Sequence, residues 1–313
     1  MSVPDATSPD ATAPDATSPD PTSPAAGPAA SEQGRRPSAA RADLRLLRSE
    51  MALVLSRRRN LVMLGVLVLL TALVGVGIEL ASSDGPDGGG GPPFLATVTE
   101  NGLFLAFAAL TASLPVFLPL VVAVVAGESV AGEASNGTLR YLLVTPVDRT
   151  RLLAVKLVAT VLYAALAALA VSLTGVVVGL LLFPVGDVVL LSGTTAPYAE
   201  GLLRLAAVTA YVVAMLTTVA ALGLLVSTLT EVPVAAMSAT AIVVVLVQIM
   251  GQVPQLSWLH PWLFTDGWLR FADLLRDPVA DDGVAGGLLL QLGWVVVLVA
   301  AAWARMTSKD VTS

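Results

Sequence analysis

Of the 313 residues, 56% are hydrophobic and 13% are charged, whereas a soluble domain carries about 25% charged residues, so the bulk of the chain belongs in a bilayer. The absence of cysteine excludes a disulfide framework, a thiol nucleophile and a thiolate metal site, and the single histidine, His260, excludes a histidine cluster. The net charge of −6 conceals an asymmetry along the chain that carries more information than the total.

Residues 1–37 repeat the unit PDAT[SA] from Pro4, Pro9 and Pro14 and contain no aromatic residue. Such a stretch buries too little surface to offset the entropy of ordering it, so a disordered tail is expected. It also lacks the basic start and apolar run of a signal peptide. From 38 to 59 the character changes. Leu44, Leu47, Met51 and Leu55 recur at helical spacing among Arg41, Arg45, Arg48 and Glu50. This pattern predicts an amphipathic helix lying along the inner leaflet.

A six-span transmembrane domain is expected over 60–305. The first span, about 61–80, follows Arg57, Arg58 and Arg59, and the loop at 82–93 reads as flexible and acidic. The second, about 103–126, carries no charge but has Pro115 and Pro119 one helical turn apart, which predicts a kink. The others fall at about 157–183, 205–226, 233–253 and 287–303, each near the 20 or so residues that cross a bilayer core. A tight turn with Glu231 separates the fourth and fifth. Gln248, with the serines and threonines of the spans, is expected on the wall of any path. The segment 254–286 holds Trp258, Trp262 and Trp268. It reads as one or two short helices at the outer headgroup level, capping the bundle. Residues 306–313 form a short cytosolic tail.

Charge tests this layout. Of the 17 lysines and arginines, only Arg204, Arg270 and Arg276 fall on the side opposite the N-terminus. The bias predicts an all-α membrane protein with six transmembrane helices, N-in and C-in.

The long polar stretch is 127–156, GESVAGEASNGTLRYLLVTPVDRTRLLAVK. Thr145, Pro146 and Asp148 form a capping box that starts a helix running into the third span. Asn136 and Gly137 break the helix arriving from the second, and Thr138 restarts a short one, TLRYLLV. Leu139, Leu142 and Leu143 give it a small apolar face, and Arg140 and Tyr141 suit an interface.

The ordered set Glu128, Glu133, Gly137, Thr138, Leu139, Arg140, Leu142, Leu143, Pro146, Val147, Arg149, Leu152, Leu153 and Lys156 resembles the cytosolic motif of the ABC type-2 transporter permeases. The resemblance extends from about Ala39 to the C-terminus. It implies the membrane subunit of an ATP-driven exporter in the cytoplasmic (inner or plasma) membrane, with Thr138–Val144 as the coupling helix that docks on a separate ATP-binding cassette subunit. Glu128 and Glu133 would orient that helix, and Arg140, Arg149 and Arg151 would meet the partner or lipid phosphates. A second permease copy, identical or not, is implied, and nucleic acid is not. The chain has no Gly-x4-Gly-Lys-[Ser/Thr] phosphate loop, so ATP, Mg and hydrolysis are expected only in the partner subunit. The alternatives are a membrane scaffold or assembly protein and an ion-coupled transporter, which would want ionisable groups at membrane depth. An intramembrane enzyme would want a base better placed than His260.

Overall fold

A computed structural model describes residues 39–83, 101–135, 149–279 and 281–308. The repeat-bearing tail expected at 1–37, the acidic loop expected at 82–93 from residue 84 onward, and the segment 136–148 lie outside the described residues. Helix α1 (Ala39–Ser56) is followed at once by α2 (Arg58–Ser83). After α3 (Leu103–Ser113) and α4 (Phe117–Ser135) come α5 (Arg149–Leu182), a hairpin of β1 (Val188–Val189) and β2 (Thr195–Ala196), and α6 (Tyr198–Leu229). Helix α7 (Pro233–Met250), three 3-10 turns at Pro254–Leu256, His260–Trp262 and Arg270–Leu275, and α8 (Asp281–Ser308) complete the order. Six helices, α2 and α4 to α8, are long and apolar enough to cross a membrane, which makes this a multi-pass membrane protein.

The second span differs from expectation. The run 103–126 is not one kinked helix but two, α3 and α4, separated by a turn at 114–116, and only α4 reaches spanning length. The cause lies in the prolines. Pro119 has no N–H to offer the Pro115 carbonyl four residues back, so the ladder opens there. Gln248 Nε2 of α7 donates to that carbonyl at 3.1 Å. The glutamine expected on a path wall thus satisfies the backbone group the proline set free.

Helix α6 is the centre. Of its most apolar stretch 67% is buried, against 17% in α7 and in α8; those two turn most of their surface outward. Small residues bring the helices close where side chains would hold them apart. A methyl group on Gly175 of α5 would run into the Cα of Ala106, and one on Gly179 into the backbone of Gly102. Gly223 of α6 likewise meets Ala126, while the neighbouring Gly127 lies against Ala236 and Met237 of α7. Helix α4 is therefore gripped from two sides at Ala126 and Gly127. Helix α5 has 34 residues, about 51 Å at 1.5 Å per residue, and overhangs a bilayer core of about 30 Å.

The two ends of the bundle are chemically distinct. One collects the start of α2, the ends of α4, α6 and α8, and the starts of α5 and α7. There Arg149 donates to the carbonyl oxygens of Met306 (2.9 Å) and Thr307 (3.4 Å), and Trp303 Nε1 donates to Thr150 Oγ1 at 2.9 Å. At the other end Arg204 Nη1 donates to the carbonyls of Leu274 and Arg276, both at 2.8 Å, and the Leu191 N–H to that of Leu275 at 3.0 Å. The segment expected as one or two short helices is three 3-10 turns. Trp258 and Trp262 stand 71% and 69% exposed, as a headgroup-level residue would, but Trp268 is 2% exposed and packs on Phe264 in the core.

Candidate functional site at the basic end

The site is built where α1 turns into α2. The turn at Arg57 is stitched by Asn60, whose N–H donates to the Arg57 carbonyl (2.9 Å) and whose Nδ2 donates to the Val54 carbonyl (2.8 Å). Tyr163 of α5 donates its hydroxyl to the Asn60 carbonyl at 2.8 Å. Three elements are thereby held around one asparagine that is 2% exposed.

Two ion-paired groups flank it. Glu128 and Glu133 lie five residues apart on α4, so they project about 140° apart around the helix. Glu128 is paired by both Arg57 and Arg59. Glu133 points to α5, where Lys156 Nζ donates to its Oε1 at 2.5 Å. The same ammonium stands 3.4 and 3.5 Å from the two carboxylate oxygens of Glu50 on α1. The Lys156 side chain is 2% exposed. A buried ammonium is tolerated only when carboxylates offset its desolvation, and here helices α1 and α4 each supply one. Arg151 pairs with Asp43 in a more exposed bridge between α5 and α1.

The backbone of α4 also takes side-chain hydrogen bonds beside these pairs. Ser227 of α6 donates its hydroxyl to the Gly127 carbonyl (2.7 Å) and accepts the N–H groups of Val130 (3.0 Å) and Ala131 (2.8 Å). Ser129 Oγ donates to the Ala126 carbonyl at 2.7 Å. One hydroxyl of α6 thus meets three backbone groups of α4.

Between α1 and the bundle lies a cavity of about 540 Å³ bordered by Glu50, Leu53, Val54, Arg57, Asn60, Val125, Glu128, Glu133 and Lys156. Among the described residues no group of three or more histidine, aspartate or glutamate side chains could hold a metal ion.

Of the residues singled out from the sequence, the structure brings Glu128, Glu133 and Lys156 to this one end. Both glutamates face basic residues of their own chain and are not bare solvated helix surface. Arg149 is engaged by the last carbonyls of α8, where the helix dipole favours a cation. Gly137, Thr138, Leu139, Arg140, Tyr141, Leu142, Leu143 and Pro146 lie outside the described residues, as does the capping box at Thr145. Sequence reading placed Glu50 only in the amphipathic helix, not at a site, and missed Asn60 and Ser227. The signal available for the last two was a small polar residue at the edge of an apolar run.

The sequence profile of a family described as "Protein of unknown function (DUF2705)" matches residues 73–312. The chain belongs to that family. The match begins within α2, so it includes Glu128, Glu133 and Lys156 and leaves Glu50, Arg57, Arg59 and Asn60 before it. No curated protein matches the chain.

Proposed function

We propose that the chain is the permease subunit of an ABC exporter, moving an unidentified solute across the cytoplasmic membrane with ATP hydrolysed by a separate subunit. The observation that carries this reading is the 2.5 Å bond from Lys156 to Glu133. It ties the last turns of α4 to the first turns of α5, the two helices that flank 136–148. A docking element there would be mounted on a closed base. A push from a soluble ATPase would reach both helices together, and not be absorbed by a slack loop. Ser227, bonded to the backbone of α4 one turn further in, ties that helix to α6 as well.

The orientation follows from charge. Arg57, Arg58, Arg59, Arg149, Arg151, Lys156 and Arg305 gather at one end, with Arg204, Arg270 and Arg276 at the other. The positive-inside bias makes the first end cytosolic, with both termini inside. Two permeases and two ATPase subunits would form the working unit, driven by population shift as the ATPase pair closes on ATP.

The test is co-expression with an ATP-binding cassette subunit encoded beside this chain. Co-purification and ATP turnover in liposomes are the expected results. The double variant Leu139→Asp, Leu142→Asp should release the ATPase while the permease stays folded. If no such subunit binds, or if the variant retains binding and turnover, the assignment fails.

A further inference from the structure

The cavity between α1 and the bundle lies where the chain passes from the charged turn at Arg57 to the apolar run that begins at Leu61. In a bilayer this is the depth of the lipid headgroups. The cavity's volume, about 540 Å³, falls in the range of sites that enclose a small-molecule ligand.

Its polar walls have unspent hydrogen-bonding capacity of two kinds. Asn60 Oδ1 is buried and accepts no hydrogen bond among the described residues. The amide is oriented by the bond from Nδ2 to Val54, so the oxygen is the free atom and needs a donor. Glu50 stands 3.4 Å from Lys156, beyond the 2.7–2.9 Å or so of a strong charge-assisted bond, because Glu133 holds that ammonium. The Glu50 carboxylate therefore has acceptor sites to offer. Arg57 offers the reverse. Its guanidinium carries five N–H donors in a fork suited to phosphate, and its side chain is 40% exposed although paired with Glu128. Leu53, Val54 and Val125 supply the apolar part of the wall.

We infer that this cavity binds a zwitterionic phospholipid whose ammonium carries N–H groups, a phosphatidylethanolamine. The phosphate meets Arg57, the ammonium donates to Glu50 and Asn60 Oδ1, and the first methylenes of the chains lie on Leu53, Val54 and Val125. A choline headgroup has the same charges but no N–H to give, so it leaves Asn60 Oδ1 without a donor. A glycerol headgroup brings no positive charge to Glu50. The inference rests on the bilayer lying along the six apolar helices and not on ATPase coupling.

The test uses the delipidated full chain in detergent, incubated with equal concentrations of dioleoyl phosphatidylethanolamine, phosphatidylcholine or phosphatidylglycerol and read by native mass spectrometry. Phosphatidylethanolamine should be retained about tenfold over each of the others, the scale of one charged hydrogen bond. Glu50→Gln should remove most of that preference, and Leu53→Trp, which fills the cavity without touching a charge, should lower retention of all three lipids. Equal retention of the ethanolamine and choline lipids overturns the inference, as does unchanged retention in both variants. Glycerophosphoethanolamine, the headgroup without chains, binding as tightly as the lipid would overturn the lipid assignment. If Glu50→Gln does not fold, the comparison of the three lipids on the unmodified chain decides alone.

Discussion

Among the described residues, the basic end and the opposite end of the bundle both carry ion pairs, but those pairs join different things. At the basic end each pair spans the fold: Arg57 and Arg59 reach Glu128, Lys156 reaches Glu50 and Glu133, and Arg151 reaches Asp43. At the opposite end each pair closes one turn of its own segment: Arg204 with Glu200, Arg270 with Asp266, Arg276 with Asp273. There the work between elements falls to backbone carbonyls, which receive Arg204 from α6 and Tyr211 at Gly267. Charge therefore assembles one end and only trims the other. An end whose helices are locked by charge passes a displacement from one helix to several, which suits the coupling role proposed for it.

The largest expected effect tests that contrast directly. Lys156→Met keeps the length of the side chain but leaves Glu133 and Glu50 without their shared ammonium in a largely buried place. Breaking one side of such a pair costs about 3–5 kcal/mol, read as a fall in unfolding free energy and in Tm in detergent. Adding Glu133→Gln to Lys156→Met should recover part of the loss, since an uncharged amide needs no counter-ion. A loss no greater than the ~1 kcal/mol of an exposed pair would mean that the basic end is held no differently from the other.

The six apolar runs were legible in the sequence because apolar length is set by bilayer thickness, and a local count finds it. The charge asymmetry was legible for the same reason, being a sum over segments. The division of 103–126 into α3 and α4 was half legible: Pro115 and Pro119 announce an interruption, but whether a helix bends or stops depends on what neighbours supply, here Gln248 from more than a hundred residues away. The partners of Glu128 and Glu133 were not legible at all. Five-residue spacing says that the two point different ways, yet nothing local says that one meets the α1–α2 turn and the other α5. Ser227 is the clearest case. In the sequence it is one serine near a helix end, and only the approach of Gly223 to Ala126 brings its hydroxyl into the ladder of α4.

A matched pair of substitutions sharpens the comparison by holding the chemistry constant. Tyr163 at the basic end and Tyr211 near the opposite end are both buried, and each donates to a carbonyl, of Asn60 at 2.8 Å and of Gly267 at 2.7 Å. Tyr163→Phe and Tyr211→Phe should each cost about 0.5–1.5 kcal/mol, because each removes one neutral hydrogen bond and leaves the ring in place. Equal losses would show that the ends share their uncharged tethers and differ in charge alone. A Tyr163→Phe loss several times the larger would place Asn60 at the root of the charged network.

The smallest effect belongs to the local pairs. Arg270 is 39% exposed and Asp266 26%, one turn apart in one segment, so water screens the pair. Arg270→Gln should change stability by only about 0.3–0.5 kcal/mol, the range of exposed pairs at this spacing. The change should shrink further in high salt, where exposed charges are screened, while the Lys156→Met loss should persist. The measurement is thermal unfolding of both variants at low and high ionic strength. If Arg270→Gln costs as much as Lys156→Met, or if salt erases both losses alike, then burial and reach between helices do not separate the two ends.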